Sequence, residues 1–230
     1  MQQAEKRLGL QFHQWERSCV PFNKMLAQDG LKTESIHGGQ FQKIKQRIYD
    51  KIVEYLEAEG YPTESIDDFN AANVNDLVLV IILPILSAFK RETGHNIFLE
   101  REKEIIPDES VADGRGESVV TDYIRAGERK YVFVVESMKS YSGPAKRQCM
   151  LALKDMAENY ENSEGAVYGF ATCGVDWQMI RYDGKNFTQT DTFQVLFRGM
   201  EDEKEKWMKE FSIIVDCIYM VLRTGRFVAK

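Results

Sequence analysis

Asp122 and Glu136, fourteen positions apart, are the two side chains in this sequence best placed for joint chemistry. Asp122 falls in the Val- and Ile-rich stretch Ser118–Ile124, and Glu136 lies near the end of Tyr131–Ser137. The turn-like Arg125-Ala-Gly127-Glu128 joins them, so the two stretches read as a strand hairpin. Carboxylates on adjacent strands of one sheet can converge on a single point. Brought together they repel, and a divalent cation removes that repulsion. Mg2+ takes oxygen ligands, usually one or two carboxylates with waters and a substrate phosphate. The ion can lower the pKa of a bound water and steady the transition state of phosphodiester cleavage. Asp122 and Glu136 are therefore candidate ligands for Mg2+ or Mn2+. On spacing alone, the competing explanation is that both acids are simply solvated.

The chain has 230 residues, with 30 Lys and Arg against 36 Asp and Glu, for a formal charge of -6. Hydrophobic residues make up 43% and aromatics 11%, enough to bury a sizeable core, which argues against disorder. The longest apolar run, Leu77–Leu86, is about half the ~20 residues a membrane span needs, and Pro84 interrupts it. No membrane partner is expected. The first residues, MQQAEKRLGLQFHQWERSC, carry charges and glutamines where a secretory leader would be apolar. Cys19, Cys149, Cys173 and Cys217 form no CxxC pair, and His13, His37 and His95 are scattered. Neither a disulfide framework nor a zinc ribbon fits, and a reducing compartment is the default. Phosphate-loop, dinucleotide, HExxH and GxSxG motifs are all lacking in the sequence.

The elements that must position the two acids follow from periodicity. Phe41, Ile44, Ile48, Ile52 and Tyr55 predict a helix that stops at Gly60 and Pro62. A weaker amphipathic pattern covers residues 5–27 and breaks near Pro21. A helix capped by Asn75 is expected to run through Lys90, kinked at Pro84 and ended by Gly94; a buried strand over Leu77–Leu83 is the competing reading, and the length through Phe89 favours the helix. Strands are predicted at Ile97–Ile106, Ser118–Ile124 and Tyr131–Ser137. The last is apolar enough over Tyr131–Val135 to be central, with both faces covered. Gly143-Pro144 opens a helix whose stripe is Ala145, Cys149, Ala152, Leu153, Met156 and Tyr160. Ala166–Thr172 and Trp177–Tyr182 are two further strands, Asp183-Gly184 is a hairpin signal, and Met200–Leu222 is a final long helix. The expected fold class is α/β, a mixed central sheet flanked by helices. Residues 1–70 form an N-terminal helical extension and 71–230 the main domain.

The order helix, strand, Asp-bearing strand, acid-terminated strand, helix resembles the PD-(D/E)xK nuclease superfamily, with its restriction-endonuclease-like core. The resemblance is carried by Arg101-Glu-Lys-Glu-Ile105, Phe133-Val-Val-Glu136, Gln148-Cys-Met-Leu-Ala-Leu-Lys-Asp-Met156 and Val167-Tyr-Gly-Phe170. Asp176-Trp-Gln-Met-Ile-Arg-Tyr-Asp-Gly184 and Glu203-Lys-Glu-Lys-Trp-Met208 extend it. These stretches are similar to fungal proteins related to the nuclease-like C-terminal domains of Crinkler effectors, over about residues 73–225. The resemblance implies Mg2+- or Mn2+-dependent cleavage of DNA or RNA, with Asp122 as the metal-binding aspartate and Glu136 as the second acid. Gln148 resembles a helix glutamine that contacts the site in some members. The relatives' E-x-K signature reads Glu136-Ser137-Met138-Lys139 here, so Met138 stands where a lysine is expected. Lys139 and Lys146 are the candidate replacements. Asp76 is the nearest candidate for an acid from the first helix. Helix capping is the competing explanation for both Asp76 and Asn75.

Residues 122–154 carry seven Lys or Arg against three acids, a local excess of +4 in an acidic chain. Arg125, Lys146 and Arg147 are candidate phosphate contacts within it. Losing the amine at position 138 leaves a second implied function: a catalytically inactive nuclease-like module that binds nucleic acid or a partner protein. The N-terminal helices are candidates for a protein partner or a homo-oligomer. The expected location is intracellular. Crinkler-like relatives imply the nucleus, although no strong basic import signal is present, and secretion as an effector stays open.

Overall fold

In the computed structural model a mixed eight-stranded sheet holds the acids' strands near one edge. The structure describes residues 6–10, 15, 19–30, 39–62, 70–105, 118–126, 130–137, 143–159 and 165–224. Strands β2 (Ile97–Ile105), β3 (Ser118–Ala126) and β4 (Lys130–Ser137) form an antiparallel meander. Helix α4 (Gly143–Asn159) then crosses to β5 (Val167–Thr172), which runs parallel to β4. Strands β6 (Asp176–Tyr182) and β7 (Phe187–Thr190) continue antiparallel, and β1 (Cys19–Val20) lies parallel to β7. The order is β1-β7-β6-β5-β4-β3-β2, and the short β8 (Phe193–Gln194) pairs with β6.

The apolar run in β4 behaves as its composition predicts. Val132 to Ser137 are all buried, because helices cover both faces of that strand. One layer is built from α2 (Gly39–Glu59), α3 (Ala71–Thr93) and α5 (Ile213–Thr224), packed over Ile124, Phe133, Val135, Phe170 and Met179. The other layer is α4, which buries Ala145, Cys149, Leu153 and Met156 against Val134, Ala171 and Ile180. Gly169 lets α4 lie close: a Cβ there would stand 2.5 Å from Cys149 Sγ. The predicted Asp183-Gly184 hairpin forms, with Asp183 Oδ1 accepting from the amides of Lys185 and Asn186 at 2.9 and 2.7 Å.

Elements on both sides of position 70 share one core. Phe41, Ile44, Ile48 and Ile52 of α2 pack with α3 and α5. Lys45 Nζ lies 2.8 Å from Asp216 Oδ2 on α5, and the Tyr49 hydroxyl donates to the carbonyls of Met200 and Glu201.

Three local expectations differ from the structure. Helix α3 starts earlier than predicted and is capped by Asn70, not Asn75. The Asn70 side chain accepts from Ala72 N at 2.8 Å while Asn73 Oδ1 accepts from Asn70 N at 3.0 Å. Asn75 is therefore a buried residue inside the helix, and capping explains neither it nor Asp76. In the N-terminal amphipathic stretch, Cys19–Val20 joins the sheet edge, and helix α1 (Phe22–Ala27) begins only after Pro21. The single helix expected from Met200 is divided. A 3-10 turn (Met200–Asp202), a short helix (Lys204–Lys206) and a π turn (Trp207–Phe211) precede α5. The π turn contains Trp207, which is fully buried and donates from Nε1 to the Val195 carbonyl at 2.8 Å.

Candidate functional site

Glu136 is fully buried one residue before the end of β4. It shares a rung with Thr121 on β3, Ala171 on β5 and, through Ala171, Gln178 on β6. Ala171 belongs to the core beneath α4, so this rung faces that helix. Burial and then the Glu136 charge push the Cys149 thiol on α4 well above its ordinary value. Gln178, also buried, donates from Nε2 to the Thr190 carbonyl at 2.7 Å. Glu136 thus sits in a polar row under α4, within an otherwise apolar interface.

The register assigns Asp122 to a different rung, opposite Val135, which continues through Phe170 to Met179. Those three residues belong to the core on the other face, under the layer of α2, α3 and α5. Successive strand positions alternate between faces. In this register positions 122 and 136 are neighbours along the hairpin but belong to opposite faces of the sheet. Among the described residues, no three His, Cys, Asp or Glu side chains are grouped to hold a metal.

The same β3–β4 pair contains an irregularity. Its register shifts by one residue between Ile124 and Arg125, on the hairpin side of Asp122. Beyond the shift the pairing has the other parity, with Arg125 opposite Tyr131 and Ala126 opposite Lys130.

Of the predicted phosphate contacts, Arg125 lies away from Glu136. Its partner Tyr131 is five positions from Glu136 along β4, roughly 16 Å at strand rise. Arg125 Nε donates to Glu100 Oε2 at 3.0 Å, and its guanidinium lies 5.4 Å from the centroid of the Phe98 ring. Lys154 donates to the Arg7 carbonyl at 2.7 Å and lies 3.6 Å from Glu158. The +4 excess of the sequence is thus divided in space. Lys146, Arg147 and Gln148, all half-buried, remain together on the first turns of α4, the helix that covers Glu136. Met138 and Lys139 lie outside the described residues.

Two features at the start of α4 escaped the sequence reading. The Arg147 side chain folds back over the first turn, where a Cβ on Gly143 would stand 2.8 Å from Nη1. Gly143 therefore makes room for a guanidinium at the helix N-terminus, and the signal was its position four residues before Arg147. Lys146 also acts on the β1 edge. Partial burial and the Asp191 charge raise the Cys19 thiol, and the Lys146 charge opposes them. Only the folded topology brings residues 19, 146 and 191 together.

Compared with known proteins, the chain matches no family model, no curated protein and no solved structure.

Proposed function

We propose that this chain is a nuclease-like module of the PD-(D/E)xK type that holds nucleic acid by its phosphates without cleaving it. The single observation that carries the reading is the β3–β4 register, which divides positions 122 and 136 between the two faces of the sheet. The order α3-β2-β3-β4-α4 is the one on which the superfamily resemblance rests, and it supports the ancestry. Met138 in the E-x-K position supports the loss of chemistry, because an amine that stabilises developing charge is worth several kcal/mol of barrier. Lys146 and Arg147 at the N-terminus of α4 supply what a phosphate needs, cations beside a helix end with positive partial charge.

The binding test is fluorescence anisotropy with labelled single- and double-stranded DNA and RNA at low salt. Lys146→Glu with Arg147→Glu is expected to weaken binding by about tenfold or more, and wild-type affinity should fall as salt rises. Equal binding by the double variant would remove α4 from the interface.

A second reading, metal-dependent cleavage of DNA or RNA, is favoured by the shift at Ile124/Arg125. Moving that irregularity past Asp122 would give position 122 the parity of position 136. Asp122 and Glu136 would then form the ion site, Lys139 or Lys146 would serve the water, and Gln148 would assist.

A further inference from the structure

Helix α3 leaves one narrow stripe at least partly open to solvent, although Val80 within it also packs against the core. Asp76, Val80, Leu83, Ser87 and Lys90 recur at spacings of four, three, four and three, and all are at least partly exposed. Most of the positions between them are buried. This spacing sets the five positions on one face of the helix, with Leu83 its exposed large apolar residue. Leu83, at 46% exposure, and Phe98, at 40%, are the exposed large hydrophobic side chains among the described residues. Phe98 adjoins the stripe, since Lys90 Nζ lies 5.2 Å from its ring centroid. The two ends of the stripe differ in charge. At the N-terminal end stand Asp76 and Glu59, whose Oε2 accepts from Asn73 Nδ2 at 3.0 Å. Lys90 stands at the C-terminal end.

A stripe that is acidic at one end, apolar in the middle and basic at the other is complementary to its own reverse. Laid antiparallel across a two-fold axis at Leu83, two copies bring Leu83 of one against Leu83 of the other, with Asp76 and Lys90 seven positions to either side. The same arrangement sets each acidic end against the partner's basic end. Antiparallel helices also oppose their dipoles favourably. We propose that the outward stripe of α3 is a homodimer interface, occupied by α3 of a second copy of this chain. A seam of one helix per copy buries less than the ~1,200 Å2 typical of stable complexes. The dimer is accordingly weak, concentration-dependent and loosened by salt. This inference does not depend on nucleic-acid binding, which uses α4.

Sedimentation equilibrium on the full chain, from about 10 to 300 µM, tests it. Wild type is expected to rise from the mass of one chain towards that of two, and Leu83→Lys to stay at one chain throughout. Asp76→Lys should weaken association about tenfold, and adding Lys90→Asp to it should restore the loss. Because Asp76 and Lys90 are exposed, these charge variants fold normally and decide the matter even if Leu83→Lys does not fold. A single-chain mass for wild type across the range overturns the proposal. So does association by the Asp76→Lys variant equal to that of wild type.

Discussion

Asp29→Ala is expected to lower the stability of the fold by about 3 kcal/mol, because it leaves a buried guanidinium without its main counter-charge. Arg181 on β6 is nearly buried and grips Asp29 with two hydrogen bonds, from Nε at 2.8 Å and from Nη2 at 2.7 Å. The Tyr168 hydroxyl, on the paired position of β5, donates to the same carboxylate. This cluster fastens the segment after α1 to the sheet. Asp183 lies 3.4 Å from Arg181 Nη1 but is more exposed, so it compensates only in part and holds the loss near the lower end of the range for such pairs. Replacing both partners with apolar residues, Asp29→Leu with Arg181→Met, should recover most of the loss, since no charge is then left buried. Urea unfolding of the single and double variants checks both statements.

The same carboxylate fixes a pH dependence. Burial acts to raise the Asp29 pKa, but the hydrogen bonds from Arg181 and Tyr168 and the Arg181 charge outweigh it and hold the group below its ordinary value. In the window between the folded and unfolded values, the unfolded chain binds more protons, so stability rises with pH there. The contribution is complete above the unfolded carboxylate pKa, about 4. It is lost as pH falls through the lower, folded value. Asp29→Asn should flatten the acid limb of the stability curve, and an unchanged limb would contradict the assignment.

Trp207→Ala is expected to cost about 3 to 5 kcal/mol, the range for truncating a fully buried large aromatic. Its ring centroid lies 5.6 Å from that of Tyr49, and its Nε1 donates to the Val195 carbonyl at 2.8 Å. Tyr49 is itself tied to the carbonyls of Met200 and Glu201, so one side chain joins α2, the strand region near β8 and the π turn. Trp207→Phe keeps most of the buried ring but leaves the Val195 carbonyl without that donor, and should cost about 1 to 3 kcal/mol. Denaturant midpoints in the order wild type, Phe, Ala would support this account. A Phe variant as unstable as Ala would place the energy in the hydrogen bond instead.

The fold was readable where hydrophobic periodicity is strong. Ile44, Ile48 and Ile52 specify the buried stripe of α2, and the apolar run from Val132 to Val135 specifies a central strand. Asp183-Gly184 specifies a hairpin through side-chain acceptors that need no tertiary context. Less legible features depend on partners distant in sequence. Two residues, Cys19 and Val20, carry too little pattern to announce a strand, and only pairing with Gln189 and Thr190 makes them one. Asn70, Asn73 and Asn75 all suit a helix start, and the mutual capping of Asn70 and Asn73 selects the first.

At the site, the neighbourhood of the acids is legible in the residues, whereas the face each position takes is not. Their pattern puts Asp122 and Glu136 on paired strands and the cations Lys146 and Arg147 on the helix above Glu136. A separation of fourteen residues is compatible with either parity of the hairpin, because one bulged residue inverts which positions share a face. The shift at Ile124/Arg125 is that residue, and nothing in the composition of β3 fixes its location. Arg125 and Lys146 are close in sequence, but the strand carries Arg125 to the far end of β4 and into its pair with Glu100.

A cleavage assay on Met138→Lys beside wild type, on DNA and RNA with Mg2+ and with EDTA, tests the central claim most directly. If a missing amine alone silenced the site, restoring it would restore chemistry. If the two acids belong to opposite faces, it would not. The account predicts no metal-dependent cleavage by either protein while both bind nucleic acid. Metal-dependent cleavage by either, lost on Asp122→Ala and on Glu136→Ala, would contradict it.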